Sequence, residues 1–207
     1  MTLVGPSLEG KKAKMHRLIQ VVGEILSEEG FQGLGVNKVA KRAGMDKVLV
    51  YRYFGGLPQL VLAFSHTVDF WPSLGELLGA EPERLNDLSP GEQMAFFFKS
   101  YLRALRRRPA TINILLWKFT ENNELTKQME TVPTRTALEF FEILEKIPED
   151  RDLAAVVVLM FGAITNLLIK SRRQRFVGGI DLYDEKGWKR IEDGIDLLLN
   201  GIFPDKG

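Results

Sequence analysis

A chain of 207 residues with 45% hydrophobic and 27% charged residues has the balance of a folded globular protein of one domain, or one domain and a small module. It contains no cysteine and only two histidines, His16 and His66, which excludes disulfides, thiolate metal sites and thiolate nucleophiles and leaves little for imidazole catalysis. The net charge of +1 is unevenly placed. Residues 1–60 hold nine Lys/Arg against five Asp/Glu, and the remainder is net acidic, as in a small nucleic-acid-binding module on a carrier.

The elements read as helices throughout. From Lys11 to Glu29 the apolar residues Met15, Leu18, Ile19, Val22, Ile25 and Leu26 fall on one helical face, and Gly30 stops the helix. A short helix over Val36–Arg42 is followed by the turn Ala43-Gly44-Met45-Asp46, with Asp46 capping a helix over Lys47–Phe54. Gly55-Gly56-Leu57-Pro58 breaks it, and one longer helix is expected from Leu60 to about Leu78. Ala80–Leu88 has loop composition. Ser89-Pro90-Gly91-Glu92 is a capping box that opens a helix to Arg108. Helices over about Ala110–Glu121, Thr134–Lys146 and Leu153–Gln174 follow. Gly178-Gly179 ends the last of these, and Asp184 caps a final helix to Phe203 with Trp188, Ile191, Ile195, Leu198 and Ile202 on a stripe. No run alternates with a two-residue period, so an all-α fold without strands is expected.

Leu153–Ile169 holds 17 residues without a charge, short of the roughly 20 that a membrane span needs, and includes Gly162, Thr165 and Asn166. A buried or subunit-interface helix is the preferred reading, and no membrane association is expected. The first ten residues lack the basic-then-apolar pattern of an export signal, so a reducing, cytoplasmic location is expected.

Two short helices joined by a glycine turn form a helix-turn-helix pattern. Val36, Val39, Ala40 and Val50 supply a small core, while residues 36–53 carry five bases and one acid. On charge and spacing alone, a DNA-binding unit and a solvated helical hairpin are equally good readings. The run Gly30-Phe31, Val36, Val39-Ala40, Ala43-Gly44, Val50-Tyr51-Arg52-Tyr53-Phe54 and Leu60 resembles the N-terminal DNA-binding signature of the TetR/AcrR family of bacterial transcriptional regulators. The resemblance covers about residues 11–64. It implies a DNA-binding domain over residues 1–56 and an effector-binding and dimerisation domain over 57–207. It also implies a homodimer through the helices near 153–174 and 184–203, with heads fitting successive major grooves of double-stranded DNA.

Carried over by position, the resemblance makes Lys47–Phe54 the recognition helix. Tyr51 and Tyr53 would meet phosphates, and Lys47, Val48, Leu49 and Arg52 would lie nearest the bases. Lys38, Lys41 and Arg42 would position the head on the backbone. Lys11, Lys12 and Lys14 would reach a flanking phosphate or stay solvated. Three departures stand out. Leu57 replaces the usual lysine, Gly35 the usual hydroxyl-bearing cap, and Val48 a small residue.

A sensor must also hold an effector. Candidate lining residues are His66, Phe70, Trp71, Phe97, Trp117, Phe141, Phe161 and Asn166, although such aromatic residues more commonly form core. His66, Asn113, Thr165 and Asn166 are the polar groups able to orient a ligand, and Asn166 would need a partner if buried. The scarcity of charge there suggests a small lipophilic effector. Arg106-Arg107-Arg108 and Arg172, Arg173 and Arg175 read as helix C-terminal cations complementing the dipole. Glu28-Glu29 and Glu149-Asp150 read as solvated carboxylates. No phosphate loop, nucleophile elbow or zinc-binding His pair occurs, so neither an enzyme nor a bound cofactor or metal is expected. The expected function is a ligand-responsive repressor that an effector releases from a palindromic operator. Its half-sites would lie one helical turn, about 34–36 Å, apart. A helical ligand-binding or adaptor module without DNA binding is the alternative.

Overall fold

The computed structural model describes residues 8–67, 69–79, 82–120, 127, 136–140, 142 and 152–203. These form an all-α fold in two compact units, one built from residues 1–71 and 108–133 and the other from 72–107 and 134–207.

The first unit contains α1 (Leu8–Glu29), a 3₁₀ turn (Phe31–Gly33), α2 (Val36–Ala43), α3 (Val48–Phe54), α4 (Leu57–Ser65) and α7 (Pro109–Thr120). Helix α1 packs against α2, α4 and α7. Of the face forecast from its apolar spacing, Leu18, Val22, Ile25 and Leu26 are wholly inaccessible, Val21 joins them, and Met15 and Ile19 are half-buried. At Gly23 the α4 residue Phe64 comes so close that a Cβ would stand 2.7 Å from its ring. Two side chains fasten α7 by donating to backbone carbonyls outside it. Asn113 Nδ2 donates to the Leu26 carbonyl at 2.5 Å, and the Thr111 hydroxyl donates to the Phe70 carbonyl. The ring of Trp117 stacks on Phe31 with centroids 3.7 Å apart.

The second unit contains α5 (Leu74–Leu78), a 3₁₀ helix (Pro82–Asp87), α6 (Pro90–Arg106), helical residues 136–140, α8 (Leu153–Ser171), a β-hairpin and α9 (Glu185–Ile202). The capping box forms as the sequence requires. The Ser89 hydroxyl accepts from the Glu92 amide while the Glu92 carboxylate accepts from the Ser89 amide and hydroxyl. Those bonds hold the Glu92 carboxyl below its ordinary pKa, the backbone bond contributing most. Helix α6 packs on α8 and, most extensively, on α9. At the start of α6, Gly91 lets the end of α9 approach, because a Cβ there would lie 2.8 Å from the Phe203 carbonyl oxygen.

A ladder of charges runs between α6 and α9. Lys99 pairs with Asp196 at 2.5 Å, Arg103 grips Glu192 through two bonds of 2.7 and 2.5 Å, and Arg106 grips Glu185 while lying 4.5 Å over the Trp188 ring. The Glu192 side chain is only 7% exposed whereas that of Arg103 is 51% exposed. Arg103→Ala therefore leaves a buried carboxylate without its cation. The expected loss is about 2 kcal/mol by denaturant unfolding, below the penalty for a fully buried pair because water reaches the arginine. The double change Arg103→Met/Glu192→Met should recover most of that loss.

Several forecasts are corrected. The single helix expected over Leu60–Leu78 is two, because α4 ends at Ser65 and Pro72 precedes the Ser73 cap of α5, whose hydroxyl accepts from the Glu76 amide. The loop at 80–88 contains a 3₁₀ helix. Gly178-Gly179 joins the antiparallel strands β1 (Phe176–Val177) and β2 (Ile180–Asp181) with φ of 54° and 76°, the positive values of a tight hairpin turn. Strands of two residues are too short to show alternation. In α9 the buried stripe is Trp188, Glu192, Ile195 and Leu199, so Leu198 lies outside it and is 57% exposed. Most of the helix expected over 134–146 lies outside the described residues.

Candidate nucleic-acid interface

The helix-turn-helix is built by local rules. Gly44 adopts φ 69°, and its amide donates to the Ala40 and Lys41 carbonyls, while the Met45 amide donates to the Ala40 carbonyl at 2.9 Å. This left-handed glycine cap turns the chain sharply out of α2. The Asp46 carboxylate then accepts from the Val48 amide at 2.8 Å, so Asp46 caps α3 as expected, and Lys47 stands at the boundary. Inside, Val39, Ala40 and Val50 are buried, while Val36, expected in the same core, is half-buried at the start of α2. Outside, Lys47, Val48, Tyr51 and Arg52 are exposed, with Val48 at 55% and Tyr51 at 56%. Leu49 and Tyr53 are half-buried. A large apolar side chain held in water at the centre of a cationic face suits contact with a base methyl group better than it suits folding.

Lys11 joins this surface from α1, its ammonium 5.8 Å over the Tyr53 ring. Gly35 stands at the α2 N-cap without a side-chain cap bond, and Leu57 begins α4 half-buried. Two of the three departures noted in the sequence are therefore visible as local structure: a cap without a hydroxyl and a helix start without a cation.

The three α2 cations separate. Lys41 is exposed, with no ion pair among the described residues. Lys38 is bonded to Glu29, and Arg42 Nη2 lies 2.5 Å from Glu28 Oε2. The Glu28 bond raises the already high Arg42 pKa, so the guanidinium stays charged. The sequence reading of Glu28 and Glu29 as merely solvated acids is thus corrected. They reach across from α1 to α2, Glu28 to a residue fourteen positions away and Glu29 to one nine positions away. No periodicity within either helix signals that pairing. The Glu149-Asp150 pair lies outside the described residues.

The candidate effector residues divide between the two units. In the first, Phe70 and Trp71 are buried neighbours with centroids 6.0 Å apart, Trp117 is engaged with Phe31, and His66 is exposed at the end of α4. In the second, Phe97 and Phe161 lie edge to face at 6.3 Å, and Asn166 is exposed on α8, so it needs no buried partner within the chain. Phe141 lies outside the described residues.

Around Phe97 an aromatic cluster gathers Phe98, Tyr101, Phe140 and Phe161. Phe140 stacks on Phe97 at 3.9 Å, and Phe161 meets Tyr101 edge-on at 5.0 Å. The sequence candidates do not include Tyr101, although it follows Phe97 by one helical turn. Burial pushes its phenol well above the ordinary tyrosine pKa, and a hydrogen bond with Thr165 offsets part of that rise. The cluster is thus apolar with one polar pair inside it.

The arginine runs also acquire partners. Besides Arg106, Arg107 lies 3.5 Å from Glu76, and Arg175 donates to Asp181 at 2.9 Å. They act as ion-pair members as well as helix-end cations.

Residues 23–64 match the family model described as bacterial regulatory proteins, tetR family. A comparison with curated protein sequences found no match. Among solved structures, the transcriptional regulator FadR from Bacillus subtilis in complex with stearoyl-CoA is 18% identical with a TM-score of 0.64, covering 89% of this chain and 96% of its own. A TetR-like transcriptional regulator from Rhodococcus sp. RHA1 is 16% identical with a TM-score of 0.62, covering 93% and 97%. The TetR family transcriptional regulator PfmR from Thermus thermophilus is 16% identical with a TM-score of 0.58, covering 92% and 99%. At these identities the structural likeness establishes the fold alone, and residues 23–64 of the head are similar to the family's N-terminal region.

Proposed function

We propose that this chain, a TetR-family protein by its matching head and by a fold shared along its length, is a ligand-responsive transcriptional repressor. In this reading it binds a palindromic operator as a homodimer in the cytoplasm and is released by a small lipophilic effector. The observation that carries the reading is the outer face of α3. Lys47, Tyr51 and Arg52 surround an exposed Val48 there, on a helix held out by the Gly44 turn. Residues 1–56 would serve as the DNA-binding part and 57–207 as the effector and dimer part.

Dimerisation through α8 and α9 is supported by what the chain leaves uncovered. Helix α8 buries Met160, Ile164 and Leu168 on one side. On the other it exposes Ala155, Val158, Leu159, Gly162 and Asn166, at the three- and four-residue spacing of a single face. Helix α9 adds exposed Leu197 and Leu198. Although α8 is long and apolar enough to cross a membrane, its small and polar residues on that exposed face suit close helix packing.

The B. subtilis FadR structure holds stearoyl-CoA. Together with the aromatic cluster around Phe97, that makes a long-chain acyl thioester the first effector to try.

Selection of duplexes from a random pool at two salt concentrations tests the reading. The expected result is a palindrome whose affinity falls with salt, and whose complex stearoyl-CoA or another lipophilic effector dissociates. Lys47→Ala should weaken binding to every sequence and reduce the salt slope by about 0.9 for each phosphate no longer neutralised. Arg52→Ala should cost about 1–3 kcal/mol and relax the preference at one base position. Folded, dimeric protein that enriches no duplex would favour the helical ligand-binding module instead.

A further inference from the structure

The cationic character of the head is partly cancelled from within. Of the five bases in residues 36–53, two are engaged by the last two residues of α1. Lys38 is bonded to Glu29, and Arg42 is bonded to Glu28 at 2.5 Å. Neither acid is favoured where it stands. The C-terminal end of a helix carries partial negative charge, and the last turn of α1 holds no base of its own. The α2 cations supply what α1 lacks.

The geometry of α2 explains why these two bases are taken. At about 100° per residue, Val39 and Ala40 point inward, Lys38 and Arg42 share one flank, and Asn37 and Lys41 share the other. Only the first flank meets the end of α1. All four paired side chains remain at least a third exposed, so water and competing anions reach them. Such pairs are weak and exchangeable.

We propose that Glu28 and Glu29 are positioning residues that hold Lys38 and Arg42 in competition with DNA phosphate, and so set the affinity of the head from inside the protein. This rests on the DNA-binding reading above. A phosphate approaching that flank must displace a carboxylate already in place, which lowers the number of counterions the head releases from DNA. Lys41, Lys47 and Arg52 carry the phosphate and base contacts without that competition.

The test is a mutant cycle read by the salt dependence of binding to a fixed mixed-sequence duplex. Glu28→Gln/Glu29→Gln should tighten binding several-fold at low salt and steepen the slope of log K against log salt by about 1–2 per head, as two cations become available. Glu28→Gln should lose its effect when Arg42 is replaced by alanine, and Glu29→Gln when Lys38 is replaced. In the otherwise natural chain, Lys38→Ala and Arg42→Ala should leave the slope nearly unchanged, whereas Lys47→Ala reduces it. If removing the acids tightens binding equally on the alanine backgrounds, they act only through the general field and the proposal is overturned. It is overturned equally if Lys38→Ala and Arg42→Ala each flatten the slope as Lys47→Ala does. Thermal melts verify folding, and Lys38→Met and Arg42→Met, which keep the apolar stems, replace any alanine variant that fails to fold. A natural chain that binds no duplex at either salt would instead remove the regulator reading, and this inference with it.

Discussion

Val158→Asp/Leu159→Asp should convert the protein to a monomer in sedimentation equilibrium and reduce operator affinity by roughly 10²–10⁴-fold. Two linked heads gain that order of avidity over one. Val158 and Leu159 are 70% and 72% exposed in the single chain, beside Ala155 and Gly162 on the same face of α8. In the proposed dimer, two carboxylates placed there would be desolvated against each other, since a two-fold axis would bring each patch against its own copy. Because both side chains face away from Met160, Ile164 and Leu168, the fold itself should melt almost unchanged. A variant that remains dimeric would move the interface away from α8. One that is monomeric yet binds the operator undiminished would separate dimerisation from DNA recognition.

Phe97→Ala has the largest expected effect on stability. Phe97 is about 1% exposed and touches four other rings, with Phe140 stacked on it at 3.9 Å. Deleting such a ring from a packed core costs about 3–5 kcal/mol, because the transfer energy is lost and the neighbours close the void only in part. Denaturant unfolding should show a shift of that size. A loss below about 1 kcal/mol would mean that the ring is poorly packed without a ligand and that the cluster serves as effector lining. Tyr101→Phe tests the polar pair in the same experiment, since it leaves Thr165 without its aromatic partner and the packing intact.

What the sequence discloses follows from how local each cause is. The helix-turn-helix is legible because Gly44, Asp46 and the Val39/Ala40/Val50 core act within a dozen residues of one another. The caps at Ser89 and Asp184 are legible for the same reason, each acting within its own first turn. The break after Ser65 escapes notice because the apolar spacing of Leu60–Leu78 continues across it, although α4 ends there and Pro72 precedes the Ser73 cap of α5. The hairpin escapes notice because two-residue strands carry no period, although paired glycines with positive φ hint at it.

Among the candidate site residues, the α3 face can be read from the residue pattern along one helix. The engagement of Lys38 and Arg42 cannot, because it depends on the angle at which α2 crosses the end of α1. Trp117 reads as a possible pocket residue for want of any sequence signal that Phe31, far earlier in the chain, stacks on it.

The placement of α7 also governs when the first unit can be completed as the chain is made. Its residues 1–71 emerge from the ribosome first, but Asn113 and Trp117 emerge only after the whole of 72–107. Until then the α1 surface that packs on α7 has no cover, and the Leu26 carbonyl lacks its side-chain donor. The nascent head must therefore wait for a helix encoded after part of the other unit, and the first unit is completed while residues 72–107 still await residues 134–207.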